Sequence, residues 1–236
     1  RRRIRDLLVV SGEESIAAMI PRILNDPDFL TETISRLSVQ VSEMFRDPEV
    51  FLKLRSDVMP VLSTYPHVNI WLAGCATGEE AYSMAILVKE EGLFDRTHIY
   101  ATDINKGALK TAEEGVYPSK EMKQYSRNYQ KAGGTGSFSN YYHARYDYAK
   151  FDEELKEIIF FTPHNLVADR VFCEANLILC RNVFIYFNKE LQTRVVHLFL
   201  ESLVRGGFLC LGTKESLQFS PYAQNFAVVG AKEAIF

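Results

Sequence analysis

Two glycines four residues apart, Gly74 and Gly78, follow the apolar run Ile70-Trp71-Leu72-Ala73 and precede two acids, Glu79 and Glu80, which open an amphipathic segment. Apolar strand, glycine turn and helix start make a loop where backbone comes close to a ligand without a Cβ in the way. The next apolar run, Thr97 to Thr102, ends in Asp103. An acid at that strand tip is placed to accept both hydroxyl hydrogens of a ribose. Together these residues describe a nucleoside pocket.

The spacing Gly74-x-x-x-Gly78 is not the G-x-G-x-x-G of a dinucleotide site, and Glu79 and Glu80 would repel a pyrophosphate. The same acids suit a cation, such as the ammonium or sulfonium of S-adenosylmethionine. As ordinary first-turn acids they would instead complement the helix dipole, and one of the two is expected to do only that. A second group, Arg181 and Asn182, directly follows the apolar run Leu177-Ile178-Leu179, with Tyr186 and Phe187 close behind. Ligands lie at such strand ends in open α/β sheets. A strand end with solvated polar caps, and with Tyr186 and Phe187 in the core, fits the same residues equally. The third group is Ser42-Glu43-Met44-Phe45-Arg46-Asp47-Pro48. On the surface Arg46 would pair with Glu43 or Asp47; beside a sulfonium pocket its planar fork would grip a carboxylate and aim one oxygen. The five histidines are scattered without metal-ligand spacing, so no metal site is expected.

Positioning these groups requires strand and helix in alternation, and from about Val68 the pattern alternates as a parallel α/β sheet does. Strands are expected at 68–73, 97–102, 157–161, 176–180 and 206–212, and helices at 78–91, 105–114 and 188–204. Asn188 starts the last helix and Gly206-Gly207 is expected to stop it. Two short strands are expected near 225–229 and 232–236. Residues 1–64 read as a helical domain and linker: an apolar face from Ile16 to Leu24, a second helix after Pro27 and a third after Asp47-Pro48. Residues 65–236 form the α/β domain. Within it, 117–152 breaks the rhythm with a glycine loop among many tyrosines, which reads as a lid, a binding loop or a packed insert.

With 236 residues, 47% of them hydrophobic, the chain can bury a full core. A net charge of -3 with both signs dispersed leaves no broad footprint for nucleic acid, and the Arg-rich start reads as a solvated helix end. Cys75, Cys173, Cys180 and Cys210, without a C-x-x-C, read as reduced buried thiols. No apolar run approaches the roughly 18 residues of a membrane span, so no membrane insertion and a cytoplasmic location are expected. The first residue is Arg rather than Met, as in a region cut from a longer protein.

In this order the blocks resemble the chemotaxis receptor methyltransferase family, the CheR type. The resemblance runs through S-E-M-F-R-D-P at 42–48, W-L-A-G-C-A-T-G-E-E-A-Y-S at 71–83, A-T-D-I at 101–104, H-N-L at 164–166, L-C-R-N-V-F-I-Y-F at 179–187 and the G-G-F-L-C-L-G-T-K-E-S-L ending. It implies a Rossmann-like class I methyltransferase sheet with helices on both faces, a small N-terminal all-helical domain and an inserted small β-subdomain. The implied activity is S-adenosylmethionine-dependent methylation of glutamate side chains in the cytoplasmic region of methyl-accepting chemotaxis receptors. The products would be a glutamate methyl ester and S-adenosylhomocysteine. By similarity, Gln40, Ser42 and Arg46 line the methionine side of the cofactor, Gly74 lies in the turn, Glu80 faces the amino-acid end and Asp103 holds the ribose. Asn165 and Leu166 bracket the adenine, and Arg181 and Asn182 lie beside the cofactor. Arg46 and Tyr186 sit closest to the transfer point. The chain departs from the family pattern mildly: Gln40 and Ser42 stand where Asn and Thr are common, Met44 for Phe and Ala81 for Pro, and the helical region is short. A noncatalytic S-adenosylmethionine-binding module of a larger signalling protein is the competing reading. Retention of Arg46, Asp103, Asn182 and Tyr186 argues against it.

Overall fold

A computed structural model describes residues 2–38 and 42–236. Three helices come first: α1 Arg2–Ser11, α2 Ile16–Asn25 and α3 Pro27–Leu37. Their boundaries are chemical. The Ser15 side chain accepts from Ala18 N to cap α2, and Asp26 accepts from Asp28 N and Phe29 N ahead of Pro27 at the start of α3. These helices bury a small core of Leu7, Met19 and Phe29. Next comes α4 Pro48–Lys53, then a π turn at Leu54–Val58 that leads into α5 Met59–Leu62. The wide turn directly precedes Pro60, which has no N–H to return to a carbonyl one turn back.

The remaining elements are β1 Val68–Ala73, α6 Glu79–Glu90, β2 Thr97–Asp103, α7 Lys106–Glu114, β3 Val116–Pro118, α8 Met122–Lys131, β4 Tyr142–Arg145, β5 Tyr148–Phe151, α9 Glu153–Lys156, β6 Ile159–Pro163, β7 Ala175–Cys180, α10 Lys189–Ser202 and β8 Leu203–Leu211. Five parallel strands form the main sheet in the order β6-β2-β1-β7-β8. Numbered by their order in the chain, that is 3-2-1-4-5, a doubly wound sheet whose order reverses between β1 and β7. Strand alternation assigns the two faces. Ile70 and Leu72 join Leu54, Ile86 and Leu177 in one core, while Trp71 and Ala73 join Ile178, Val195 and Phe199 of α10 in another. The first core also takes in Met44, Phe45, Val50, Phe51 and Leu62, so packing continues across the division expected at residue 64.

Several expectations need correction. Gly206-Gly207 does not stop α10, which ends at Ser202 with Leu203 as its C-cap. The glycines lie inside β8, where Ala175 pairs with Leu203 but Leu177 with Phe208, so they occupy a bulge. No regular strand forms at 225–229 or 232–236. The chain end instead makes single antiparallel bridges, Cys210 to Ile235 and Gly230 to Ile235. The strand expected at 157–161 runs two residues later. Cys173 is only partly buried, unlike the other three cysteines.

The 117–152 segment is packed rather than loose. β3, β5 and β4 form an antiparallel sheet, and Met122, Tyr125 and Tyr129 of α8 pack into the main core. Buried Tyr129 and Phe138 belong to that core. Glu90 of α6 receives the Tyr141 hydroxyl at 2.9 Å, the Tyr129 hydroxyl and Arg55 at 2.7 Å, which ties the segment to two helices.

Candidate active site

A cavity of about 580 Å³ opens at the C-terminal ends of β1, β2, β6 and β7, where the strand order reverses. Ligands bind at this crevice in doubly wound sheets. Ser42, Arg46, Gly74, Glu80, Asp103, Asn165, Leu166, Arg181, Asn182 and Tyr186 all line it. Gln40 lies outside the described residues.

The glycine turn is built by packing as much as by access. Gly74 and Gly78 have φ of +89° and +91°, a region that side chains rarely adopt. A Cβ on Gly74 would stand 2.6 Å from Val183 Cγ2, and one on Gly78 would stand 2.6 Å from Ala112 Cβ of α7. Only Gly74 lines the cavity; Gly78 lets α7 close against the turn. The turn is also held by Asp103, whose Oδ2 accepts from Ala76 N at 2.9 Å while Oδ1 accepts from Asn105 N at 2.8 Å. Burial raises the Asp103 carboxyl above its usual range, against those backbone N–H bonds.

The two acids after the turn separate, one toward the cavity and one away. Glu79 is buried, takes the Thr77 hydroxyl at 2.7 Å and is raised by that burial. Glu80 lines the cavity, but Arg181 Nη1 already donates to its Oε1 at 2.7 Å. Arg181 Nη2 donates to Asp47 Oδ2 at 2.7 Å and to the Arg46 carbonyl at 2.9 Å. With only 2% of its side chain exposed, Arg181 is therefore an internal tie rather than a ligand grip. Burial pulls its pKa down, and Glu80 and Asp47 outweigh that pull. The loop it ties is strained, since Phe45 and Asp47 have φ of +51° and +54°.

Asn182 likewise has φ of +60°, and its N–H donates to Glu215 Oε2 at 3.0 Å. The same carboxylate takes Gly212 N at 2.7 Å and Ile185 N at 3.3 Å, bracing the segment that carries Asn182 and Tyr186. Sequence reasoning assigned Glu215 no role, although it stands within the K-E-S-L of the quoted ending. Also missed was the wall supplied by Thr33, Ile34, Leu37 and Ser38 of the N-terminal helices. No local signal marks it, because a tertiary contact creates it: Asn105 Nδ2 donates to Ser38 Oγ at 2.8 Å. Ile104 and His164 were within reach, each adjoining a residue already singled out. Among the described residues no cluster could hold a metal ion, and no helix is long and apolar enough to cross a membrane.

Cher3 of Pseudomonas putida is 47% identical over the whole chain and 86% of its own length. Chemotaxis protein methyltransferase 2 of Pseudomonas aeruginosa is 34% identical over 82% of the chain and 66% of its own length. The chemotaxis protein methyltransferase of Listeria innocua is 29% identical over 92% and 80%. Residues 40–235 match the family model described as CheR methyltransferase, SAM binding domain. The chain belongs to the CheR methyltransferase family and is an S-adenosylmethionine-dependent methyltransferase.

Proposed function

We propose that the protein methylates glutamate side-chain carboxylates of methyl-accepting chemotaxis receptors, acting in the cytoplasm on their cytoplasmic region. The observation that carries this reading is the Arg46 loop. Arg181 commits its guanidinium to Glu80, Asp47 and the Arg46 carbonyl, and so braces the loop from which Arg46 lines the cavity. A guanidinium at that wall suits a carboxylate acceptor, because its fork grips two oxygens and aims one.

The residues present fit S-adenosylmethionine. Asp103 holds both oxygens in fixed orientation to accept from a ribose, Ile104 and Leu166 offer apolar surface to an adenine, and Glu80 supplies an acid for an ammonium. Ser42, Gly74, Asn165, Arg181 and Asn182 complete the wall around it. When bound, the cofactor supplies an electrophilic methyl on a sulfonium. A glutamate acceptor is ionised near pH 7 and is already a nucleophile, so the chain needs no general base. Arg46 orients that carboxylate in line with the methyl, and Tyr186, exposed on the rim, donates a hydrogen bond or packs against the reacting centre. Opposite charges cancel as the ester forms, so apolar walls such as Val183 and Ile185 favour the transition state over separated ions.

Ribose binding uses the Asp103 carboxylate, which gives a pH test. As pH falls through the raised titration range of Asp103, the anion is lost and affinity for S-adenosylhomocysteine weakens, with proton release on binding in that range. Calorimetry from neutral pH down to about 4.5 should show this fall. Asp103→Asn should bind more weakly and lose the pH dependence, and Asp103→Ala should lose roughly tenfold or more. Unchanged affinity in Asp103→Ala would remove the ribose assignment.

The function itself is tested with S-adenosylmethionine carrying a tritiated methyl and a receptor cytoplasmic fragment. Base-labile label on the receptor is the expected result. Binding of S-adenosylhomocysteine without transfer would instead favour a noncatalytic sensor module, and base-stable label would point to nitrogen as the acceptor.

A further inference from the structure

The inserted segment reaches into the active-site loop through one side chain. Asn128 on α8 is 5% exposed, and both ends of its amide have partners. Nδ2 donates to the Met44 carbonyl at 3.0 Å and to Glu43 Oε2 at 3.0 Å, while Oδ1 accepts from Gln124 Nε2 at 2.9 Å. A carbonyl only accepts, so the Met44 oxygen fixes which end of the amide faces the loop. Gln124, one turn earlier on the same helix, holds the other end. Next to this bridge, the Phe45 ring packs edge-on against Tyr129 of α8 and Phe138 of the insert, with centroids 5.4 and 6.3 Å away. Phe45 N–H donates to Ser83 Oγ at 2.9 Å.

These contacts fall on a loop whose backbone would not hold its shape alone. Phe45 and Asp47 both occupy the left-handed region, at φ of +51° and +54°. Such conformations persist only where surrounding contacts impose them. Arg181 grips the loop from the cavity side, at the Arg46 carbonyl and Asp47. The insert supplies a second grip, at Glu43 and the Met44 carbonyl.

We infer that Asn128 is a positioning residue for methyl transfer, through which the inserted subdomain holds the 43–47 loop and thereby aims Arg46. The role rests on the glutamate methyltransferase reading for its kinetic consequence, but not for its structural one. The insert thus serves the active site directly.

The test uses Asn128→Ala in the full chain, with Ala149→Gly as control. Ala149 is buried in β5, paired with Tyr117 of β3 and Ala144 of β4, so its substitution loosens the insert without removing the bridge. Two readouts are taken below both melting temperatures. Hydrogen exchange at the Met44 to Asp47 amides should accelerate in Asn128→Ala and not in Ala149→Gly; equal exchange in Asn128→Ala and the unsubstituted chain overturns the proposal whatever the acceptor is. In transfer to the receptor fragment, Asn128→Ala should lower kcat about tenfold or more, while S-adenosylhomocysteine affinity stays within about threefold because Asp103 is untouched. A kcat equal to that of the unsubstituted chain, or a loss matched by Ala149→Gly, contradicts a positioning role. Should the unsubstituted chain methylate no glutamate, the functional reading fails, and the exchange experiment still decides the bridge.

Discussion

Arg46→Ala is expected to lower methyl transfer about 10²- to 10³-fold, the range seen when one preorganised charge-stabilising donor is removed from an active site. Affinity for S-adenosylhomocysteine should change far less, since the residues proposed to hold the ribose and adenine, Asp103, Asn165 and Leu166, sit on other elements. Arg46→Lys should recover only part of the rate: a lysine restores the charge but not the planar fork that fixes two carboxylate oxygens at once. Single-turnover kinetics with the receptor fragment separate the two quantities. A rate within about threefold of the unsubstituted chain for Arg46→Ala would mean that some other group aims the acceptor.

Arg181→Met should cost about 3 kcal/mol of stability, and its effect on activity should follow from the same cause. The substitution leaves Glu80 and Asp47 without their shared cation, and the Arg46 carbonyl without its donor. Glu80 and Asp47 side chains are 14% and 35% exposed, so water recovers part of the loss and the low end of the usual range applies. Asp47→Ala should cost less, because Arg181 then keeps Glu80. Urea unfolding reads the difference as a shift in midpoint at constant slope. High salt should weaken this tie little, as its arginine is buried. A loss below about 1 kcal/mol for Arg181→Met would show that the loop holds itself.

The sequence reveals the parts of this site that are local. A strand, a glycine turn and an acidic helix start are written in eleven consecutive residues, and the structure builds them at β1 and α6. Asp103 and Arg181-Asn182 announce themselves as polar residues at the ends of apolar runs, and the structure brings both to the cavity. The sulfonium-pocket reading of Arg46 needed a fold, since Glu43 and Asp47 beside it favour a surface pair by proximity alone. In the structure Asp47 accepts from Arg181, and Arg46 lines the cavity. Contacts between distant segments stayed hidden. Glu215, 33 residues from Asn182, and Asn128, 84 residues from Met44, carry no local pattern that separates them from ordinary polar residues. Gly206-Gly207 misled for the opposite reason: a glycine pair after a helical stretch is a stop signal, yet here it permits a bulge in the following strand.

The most direct test of the central claim is to map the methyl group. The receptor fragment is incubated with S-adenosylmethionine and either the unsubstituted chain or Arg46→Ala, then digested and sequenced by mass spectrometry. A mass gain of one methylene on glutamate side chains, reversed by mild alkali and nearly absent with Arg46→Ala, is the predicted result. Methyl groups on lysine or on a terminus, or equal glutamate esterification by both proteins, would contradict the account.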